Sequence, residues 1–70
     1  MAMTEPTRIL VTTKGETGYL RTEIGLDLRA HYSAVFDPAQ ADTYTSQASA
    51  ERFARLAARR FDSVEIEPAP

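Results

Sequence analysis

Three arginines in one predicted helix are the residues whose type and spacing are best suited to binding chemistry. Arg52, Arg55 and Arg59 lie at positions i, i+3 and i+7, so a helix presents them on one side. A guanidinium offers several N–H donors in a planar fork that matches carboxylates and phosphates. Glu51 is the one acid near them on the helix. We expect this side to bind an acidic protein surface or phosphate; the alternative is an ordinary solvated face.

The other chemistry-bearing residues predict neither a catalytic nor a metal site. His31 is the single histidine and the chain has no cysteine, so a structural zinc site lacks its ligands. As a general base His31 has no cysteine partner, and we interpret it as an exposed strand residue. Glu65 and Glu67 share one strand face and could bind a metal or act in acid/base work, but without a pocket we interpret them as a solvated sheet edge that discourages aggregation. We predict a non-enzymatic protein without a cofactor.

Composition restricts the class of protein. Seventy residues form one domain, and a core of this size contributes only about 3–5 kcal/mol of net stability. Self-association into a homodimer or docking on a larger partner would add to it. The longest apolar runs have three residues, far fewer than the roughly 20 of a membrane helix. The N-terminus lacks a signal-peptide pattern and cysteine is absent, so we expect a cytoplasmic protein.

The first two elements are predicted from alternation. Residues 8–13 form a strand with Ile9 and Val11 on one face, and residues 19–24 form a second strand. Residues 14–18 contain two glycines and form the turn between these strands. The glycines could instead cradle a phosphate, but a phosphate loop opens a helix, whereas this segment leads into a strand.

The segment after Gly25 carries an ambiguous pattern. Apolar and polar residues alternate strictly from Leu26 to Ser33, as in a strand, while Ile24, Leu28, Tyr32 and Val35 approximate a helical stripe. We choose a strand that begins at Leu26, because the alternation is strict and glycine is unfavourable inside a helix. Residues 39–41 then suggest a single helical turn, and residues 43–45 a short extended piece.

The main helix is predicted to follow Ser46, which is a good N-cap, and to run from Gln47 to Arg60. Phe53 lies at the centre of its apolar face and should be the most costly single truncation. The other members of that face are Ala50, Ala54, Ala57 and Phe61, with Leu56 on its margin. Residues 63–67 form the last strand, with Val64 and Ile66 directed inward, and Pro68 ends it.

The order β-β-β-α-β predicts an α+β fold of two layers, in which one helix packs on one face of a small, mostly antiparallel sheet. Residues 8–67 form this domain, with a flexible tail at 1–7 and a short one at 68–70. The uncovered face is polar enough to remain in water. Tyr19 and His31 lie on it beside several acids, which would repel phosphates and disfavour nucleic-acid binding there.

The segment from residue 37 to 54 carries a resemblance. It reads Asp37-Pro38-Ala39-x-Ala41-x-x-Tyr44-x-Ser46-x-x-x-Ala50-Glu51-x-x-Ala54. This pattern resembles one found in many short, uncharacterised bacterial and phage proteins. In size and in its strands, helix, strand layout, the chain also resembles small phage-encoded CRISPR inhibitors (anti-CRISPR proteins). The resemblance is one of layout and implies no particular functional residue.

The function predicted from these features is a non-enzymatic interaction module that docks on a protein or nucleoprotein partner. The specific variant is a phage or mobile-element inhibitor of a host nucleoprotein complex. The alternative is a nucleic-acid-binding protein that uses Arg52, Arg55 and Arg59. An enzyme or small-ligand domain built around His31 is a third hypothesis.

Overall fold

Five antiparallel strands and one helix make up residues 6–69, the part of the chain that the computed structural model describes. The elements, in chain order, are β1 (Thr7–Thr13), β2 (Glu16–Ile24), β3 (Ala30–Val35), a 3-10 turn (Pro38–Gln40), β4 (Thr43–Tyr44), α1 (Gln47–Ala57) and β5 (Ser63–Pro68). The predicted α+β class with one helix on an antiparallel sheet is confirmed. The short extended piece is confirmed as β4, which joins the sheet.

β1 is the strand around which the sheet is built. One edge of β1 pairs along its length with β5, and this register sets Ile9 opposite Ile66. The other edge is shared, because residues 10–13 pair with β2 whereas residues 7–8 pair with β4. The sheet therefore curls, and the far part of β2 continues with β3 as a hairpin that leaves the side of β1.

The core lies between α1 and the inner face of this sheet. Ile9, Val11 and Leu20 are the largest fully buried side chains, and Ala50 and Ala57 bring the helix close to them. The half-buried apolar residues that pack around this centre are Tyr32, Ala34, Tyr44, Phe53, Ala54, Phe61, Val64 and Ile66. The predicted alternation of β1 and β5 and the predicted phase of the helix are thus confirmed.

The helix begins as predicted and ends early. The Ser46 side chain accepts a hydrogen bond from the backbone N–H of Ser49 at 3.3 Å, which confirms the N-cap. The predicted end at Arg60 is wrong, because α1 ends at Ala57. The backbone N–H of Phe61 still bonds to Ala57, but that of Asp62 bonds to Thr12 of β1 at 2.8 Å. Pairing with β1 thus ends the helix.

The β1–β2 turn is shorter than predicted. Only Lys14 and Gly15 form it, with φ of 51° and 81°, and two positive φ values are typical of a tight hairpin turn. The predicted turn at 14–18 is wrong at its end, since β2 already begins at Glu16. Gly18 is buried in β2, where an added Cβ would lie 3.0 Å from the carbonyl oxygen of Val35. This glycine therefore serves the close approach of β3.

The predicted start of the third strand is also wrong. Residues 25–29 form the loop of the β2–β3 hairpin, and β3 begins at Ala30. The loop is closed by hydrogen bonds of 3.0 Å from Gly25 N–H to the Arg29 carbonyl and from Leu28 N–H to the Gly25 carbonyl. Strand alternation from residue 30 onward is confirmed, which excludes the helical alternative.

The ends of the sheet extend slightly beyond the predicted domain limits of 8–67. Thr7 belongs to β1, Pro68 belongs to β5, and the backbone N–H of Ala69 bonds to the carbonyl of Pro6 at 2.9 Å. The predicted tails at residues 1–5 and 70 lie outside the described residues. Within residues 6–69, the helix is not long and apolar enough to cross a membrane.

Candidate interaction surfaces

The arginine face, defined as Arg52, Arg55 and Arg59, is exposed to solvent. Because α1 ends at Ala57, Arg52 and Arg55 lie on the helix and Arg59 lies in the turn that follows it. None of the three makes an ion pair with another residue of the described range 6–69. The predicted neighbour Glu51 accepts a hydrogen bond from the Gln47 side chain at 3.2 Å. A binding role for the arginine face stays a prediction.

Arg60 differs from the arginine face although it adjoins Arg59. Its guanidinium carbon lies 5.5 Å from the centroid of the Tyr32 ring, which is within the distance of a cation–π contact. Arg60 is therefore directed towards the β2–β3 hairpin, where it covers part of an aromatic ring that α1 leaves open.

The cations on the uncovered sheet face are paired with acids. Arg8 donates to Glu67, which lies opposite it across β1 and β5, and its guanidinium carbon is 4.5 Å from the Tyr19 ring centroid. Arg21 Nε lies 2.8 Å from a carboxylate oxygen of Glu23. Since Arg8 occupies one side of the Tyr19 ring, this ring is a poor platform for a stacked base.

His31 has a carboxylate partner that the sequence analysis missed. Its Nε2 lies 3.1 Å from Asp27 Oδ1, and the same oxygen accepts the backbone N–H of Arg29 at 3.0 Å. These two hydrogen bonds, the one from Arg29 first, hold the pKa of Asp27 below its ordinary value of 3.8. The spacing Asp-x-x-x-His indicates this hydrogen-bonded pair only once residues 25–29 are known to form a loop.

The Asp27–His31 pair lies on the surface of the β2–β3 hairpin. Both side chains are exposed, and the nearby Ser33 hydroxyl donates to the carbonyl of Arg21. No group of three His, Cys, Asp or Glu side chains within residues 6–69 could hold a metal ion. His31 is confirmed as an exposed strand residue, and its hydrogen bond serves to order the hairpin loop.

A half-buried polar cluster fastens β4 to β2. An Asp42 carboxylate oxygen accepts the backbone N–H of Thr22 at 2.7 Å, and the backbone N–H of Asp42 donates to the carbonyl of Leu20. The Tyr44 hydroxyl is buried beside this cluster, and burial, followed by the nearby Asp42 charge, raises the pKa of Tyr44. The cluster closes the gap that opens where β2 leaves β1.

The largest exposed apolar side chains of the described range lie on one hairpin, three of them at its loop and Phe36 at its opposite end. Ile24, Leu26, Leu28 and Phe36 are 67%, 107%, 85% and 67% exposed. They lie in the β2–β3 loop and at the ends of the two strands, and we refer to them as the apolar wing. The prediction that Leu26 and Leu28 belong to the third strand is wrong, because both lie in the loop.

Searches with protein-family models, curated proteins and solved structures find no match to this chain. The resemblance to phage-encoded inhibitors therefore stays a prediction from layout. The two exposed surfaces that distinguish this chain are the arginine face and the apolar wing.

Proposed function

We propose that this chain is a non-enzymatic interaction module that docks on an acidic surface of a partner protein through its arginine face. The observation that carries this proposal is a contrast between two groups of cations. Arg8 and Arg21 on the sheet are paired with glutamates, whereas Arg52, Arg55 and Arg59 have no ion pair within residues 6–69.

Several guanidiniums on one surface bind more effectively than isolated ones. A single exposed ion pair contributes only about 0–1 kcal/mol, because water screens it and the side chains lose rotamer freedom. Arginines that become desolvated together in an interface can each contribute about 2 kcal/mol or more. A flat partner surface with several carboxylates would meet Arg52 and Arg55 together, since they lie one helical turn apart.

A protein partner is favoured over a nucleic acid by the charge of the whole molecule. The formal net charge is −2, so long-range attraction to a polyanion is absent. Direct nucleic-acid binding is the second candidate, because the same guanidiniums also match phosphates. Inhibition of a host nucleoprotein complex, as a phage or mobile-element protein, is the more specific variant and rests on the layout resemblance alone.

The test compares charge reversals on the arginine face with one elsewhere. Partners are captured with the wild-type chain, and their affinities are then measured for R55E, for the triple variant R52E/R55E/R59E and for K14E. Lys14 is exposed in the β1–β2 turn, so K14E makes the same change in net charge as R55E away from the helix. We expect R55E to weaken binding at least about tenfold, the equivalent of about 1.4 kcal/mol, and K14E to change it little.

Folding of each variant is checked by circular dichroism, since glutamate is tolerated at exposed helix positions. A folded triple variant with wild-type affinity would exclude the arginine face. A salt titration against DNA and RNA separates the second candidate, because each phosphate contact steepens the dependence of affinity on salt. Steep salt dependence for nucleic acid, abolished by the triple variant, would replace the protein partner with a nucleic acid.

A further inference from the structure

β3 forms an unprotected edge of the sheet. It pairs with β2 on one side, and no strand of the described range pairs with its other side. Alternate backbone N–H and C=O groups of that side are therefore available to another strand. Edge strands normally carry proline, lysine or other charged residues, which discourage such pairing. The sequence of β3, AHYSAV, has no acidic residue, lysine, arginine or proline.

The edge formed by β5 is protected by contrast. β5 carries Glu65 and Glu67 and ends at Pro68, which has no backbone N–H to donate. Charges and proline are the usual means of preventing association between edges. Of these two long edges, only the one formed by β3 is open to a further strand.

The apolar wing adjoins this open edge. Ile24 lies opposite Ala30 in the β2–β3 register, and Phe36 directly follows β3. By strand alternation Phe36 belongs to the same face as Ala30 and Tyr32. The chain bends at Phe36 and Asp37 then caps the 3-10 turn, so Phe36 marks the end of the open edge. Both large side chains would be covered by a strand added here.

We propose that two copies of this chain associate by antiparallel pairing of their β3 edges, with Ser33 opposite Ser33 of the second copy. In this register Tyr32 lies opposite Ala34, and Phe36 lies opposite Ala30. Each aromatic ring thus meets a methyl group, which avoids crowding on the helix-covered face. The contact is self-complementary, as a two-fold symmetric dimer requires.

This register also covers exposed apolar surface. Within each copy Ile24 is the cross-strand neighbour of Ala30. One row across the dimer therefore contains Phe36 of the first copy, followed by Ala30 and Ile24 of the second copy. The Phe36 ring lies over the small Ala30 side chain and reaches towards Ile24. Symmetry repeats the row, so the two largest exposed side chains at the strand ends become covered in both copies.

Charge favours the same register. Arg29 precedes β3 and Asp37 follows it, so this register brings Arg29 of one copy and Asp37 of the other to the same end of the added ladder; within residues 6–69 the Arg29 side chain has no ion pair of its own. A shift of two residues in either direction moves Arg29 away from Asp37. A shift of one residue would turn the two helix-covered faces to opposite sides of the sheet.

The dimer has a consequence for binding, although it does not rest on the proposed role of the arginine face. A two-fold axis perpendicular to the sheet keeps both copies of α1 on the same side. The dimer therefore presents two arginine faces in the same general direction. A partner that engages both would bind with an avidity that one copy cannot provide.

The test uses sedimentation equilibrium of the wild-type chain and of variants at Ser33. S33K sets two like charges directly opposite each other, and S33E does the same with the opposite sign. Ser33 is exposed, so both variants should fold. We expect each alone to raise the dimer dissociation constant at least about tenfold, and an equimolar mixture of the two to restore association. The matched control is S63K, because Ser63 is an exposed serine of β5 on the protected edge.

The mixture distinguishes a lost interface from a misfolded chain, since misfolded variants do not rescue each other. A wild-type chain that stays monomeric at every attainable concentration overturns the proposal. A dimer that S33K leaves intact, or that S63K disrupts equally, also overturns it, because the interface then lies elsewhere. Neither result would bear on the arginine face, which is tested separately by R55E.

Discussion

Truncation of Phe53 tests how the single helix is held on the sheet. Phe53 lies in the middle of α1 and is half-buried, and its ring packs on Tyr44 with 5.3 Å between centroids and planes tilted by 31°. The substitution Phe53→Ala removes this ring from a core in which only Ile9, Val11 and Leu20 are large and fully buried. No other aromatic residue of α1 can replace it.

The expected loss of stability follows from burial and from the aromatic pair. Phenylalanine-to-alanine changes in a core cost about 3–5 kcal/mol, and partial exposure places Phe53 near the lower end. Loss of the ring contact with Tyr44 adds about 0.5–1.5 kcal/mol. The sum, about 4 kcal/mol, is comparable to the whole stability of about 3–5 kcal/mol that a chain of this size attains. The alanine variant should therefore be largely unfolded.

The assay is urea denaturation followed by circular dichroism, with Phe53→Leu and Phe36→Ala as comparisons. The leucine variant keeps most of the apolar volume and should unfold cooperatively, with a loss of about 1–2 kcal/mol. Phe36 is mostly exposed, so its truncation should change stability by less than about 1 kcal/mol at protein concentrations where the chain is monomeric. If Phe53→Ala unfolded cooperatively within about 1 kcal/mol of the wild type, the packing of α1 inferred here would be refuted.

Two further predictions concern the β2–β3 loop. The pKa of Asp27 is lowered in the folded chain, so its hydrogen bonds stabilise the loop fully above the ordinary pKa of 3.8 and are lost as the pH falls through the lower folded pKa. Faster hydrogen exchange of the Arg29 amide well below pH 3.8 would show this loss, and unchanged exchange would contradict it. Leu28 has φ of 62°, which is unfavourable for a bulky side chain and is tolerated better by asparagine. Leu28→Asn should therefore raise the unfolding free energy by about 0.5–1 kcal/mol, whereas Leu26→Asn, at an exposed loop position without positive φ, should not. Equal effects of the two substitutions in urea denaturation would mean that backbone strain at Leu28 is not the cause.

Most of the fold could be predicted because local signals agree with tertiary contacts. The alternation of Ile9 and Val11 predicts the inner face of β1, and Ser46 predicts where α1 begins. The local sequence signals fail where contact with a distant strand determines the local structure. Gly18 resembles a turn residue, yet it is glycine because β3 approaches its Cα closely. The helix stops at Ala57 because the following residues must reach β1.

The candidate surfaces could be predicted only in part, for a related reason. The exposure of Arg52 and Arg55 follows from the phase of α1, which Phe53 and Ala57 determine. The apolar wing could not be predicted, because the apolar alternation from Leu26 is the same whether these residues continue a strand or form the hairpin loop. The Asp27–His31 hydrogen bond depends on where the hairpin turns.

The exposed apolar wing follows from the width of one helix. A helix with its side chains is about 10 Å across, and neighbouring strands are about 4.8 Å apart, so a single helix covers roughly two or three strands. α1 packs on β1, β4 and β5, which leaves the outer part of the β2–β3 hairpin without a layer above it. Residues 6–69 contain no second α-helix that could supply that layer. Pairing of two β3 edges would cover Ile24 and Phe36 from the side instead, which explains why the uncovered hairpin is also the one whose edge lacks protecting charges.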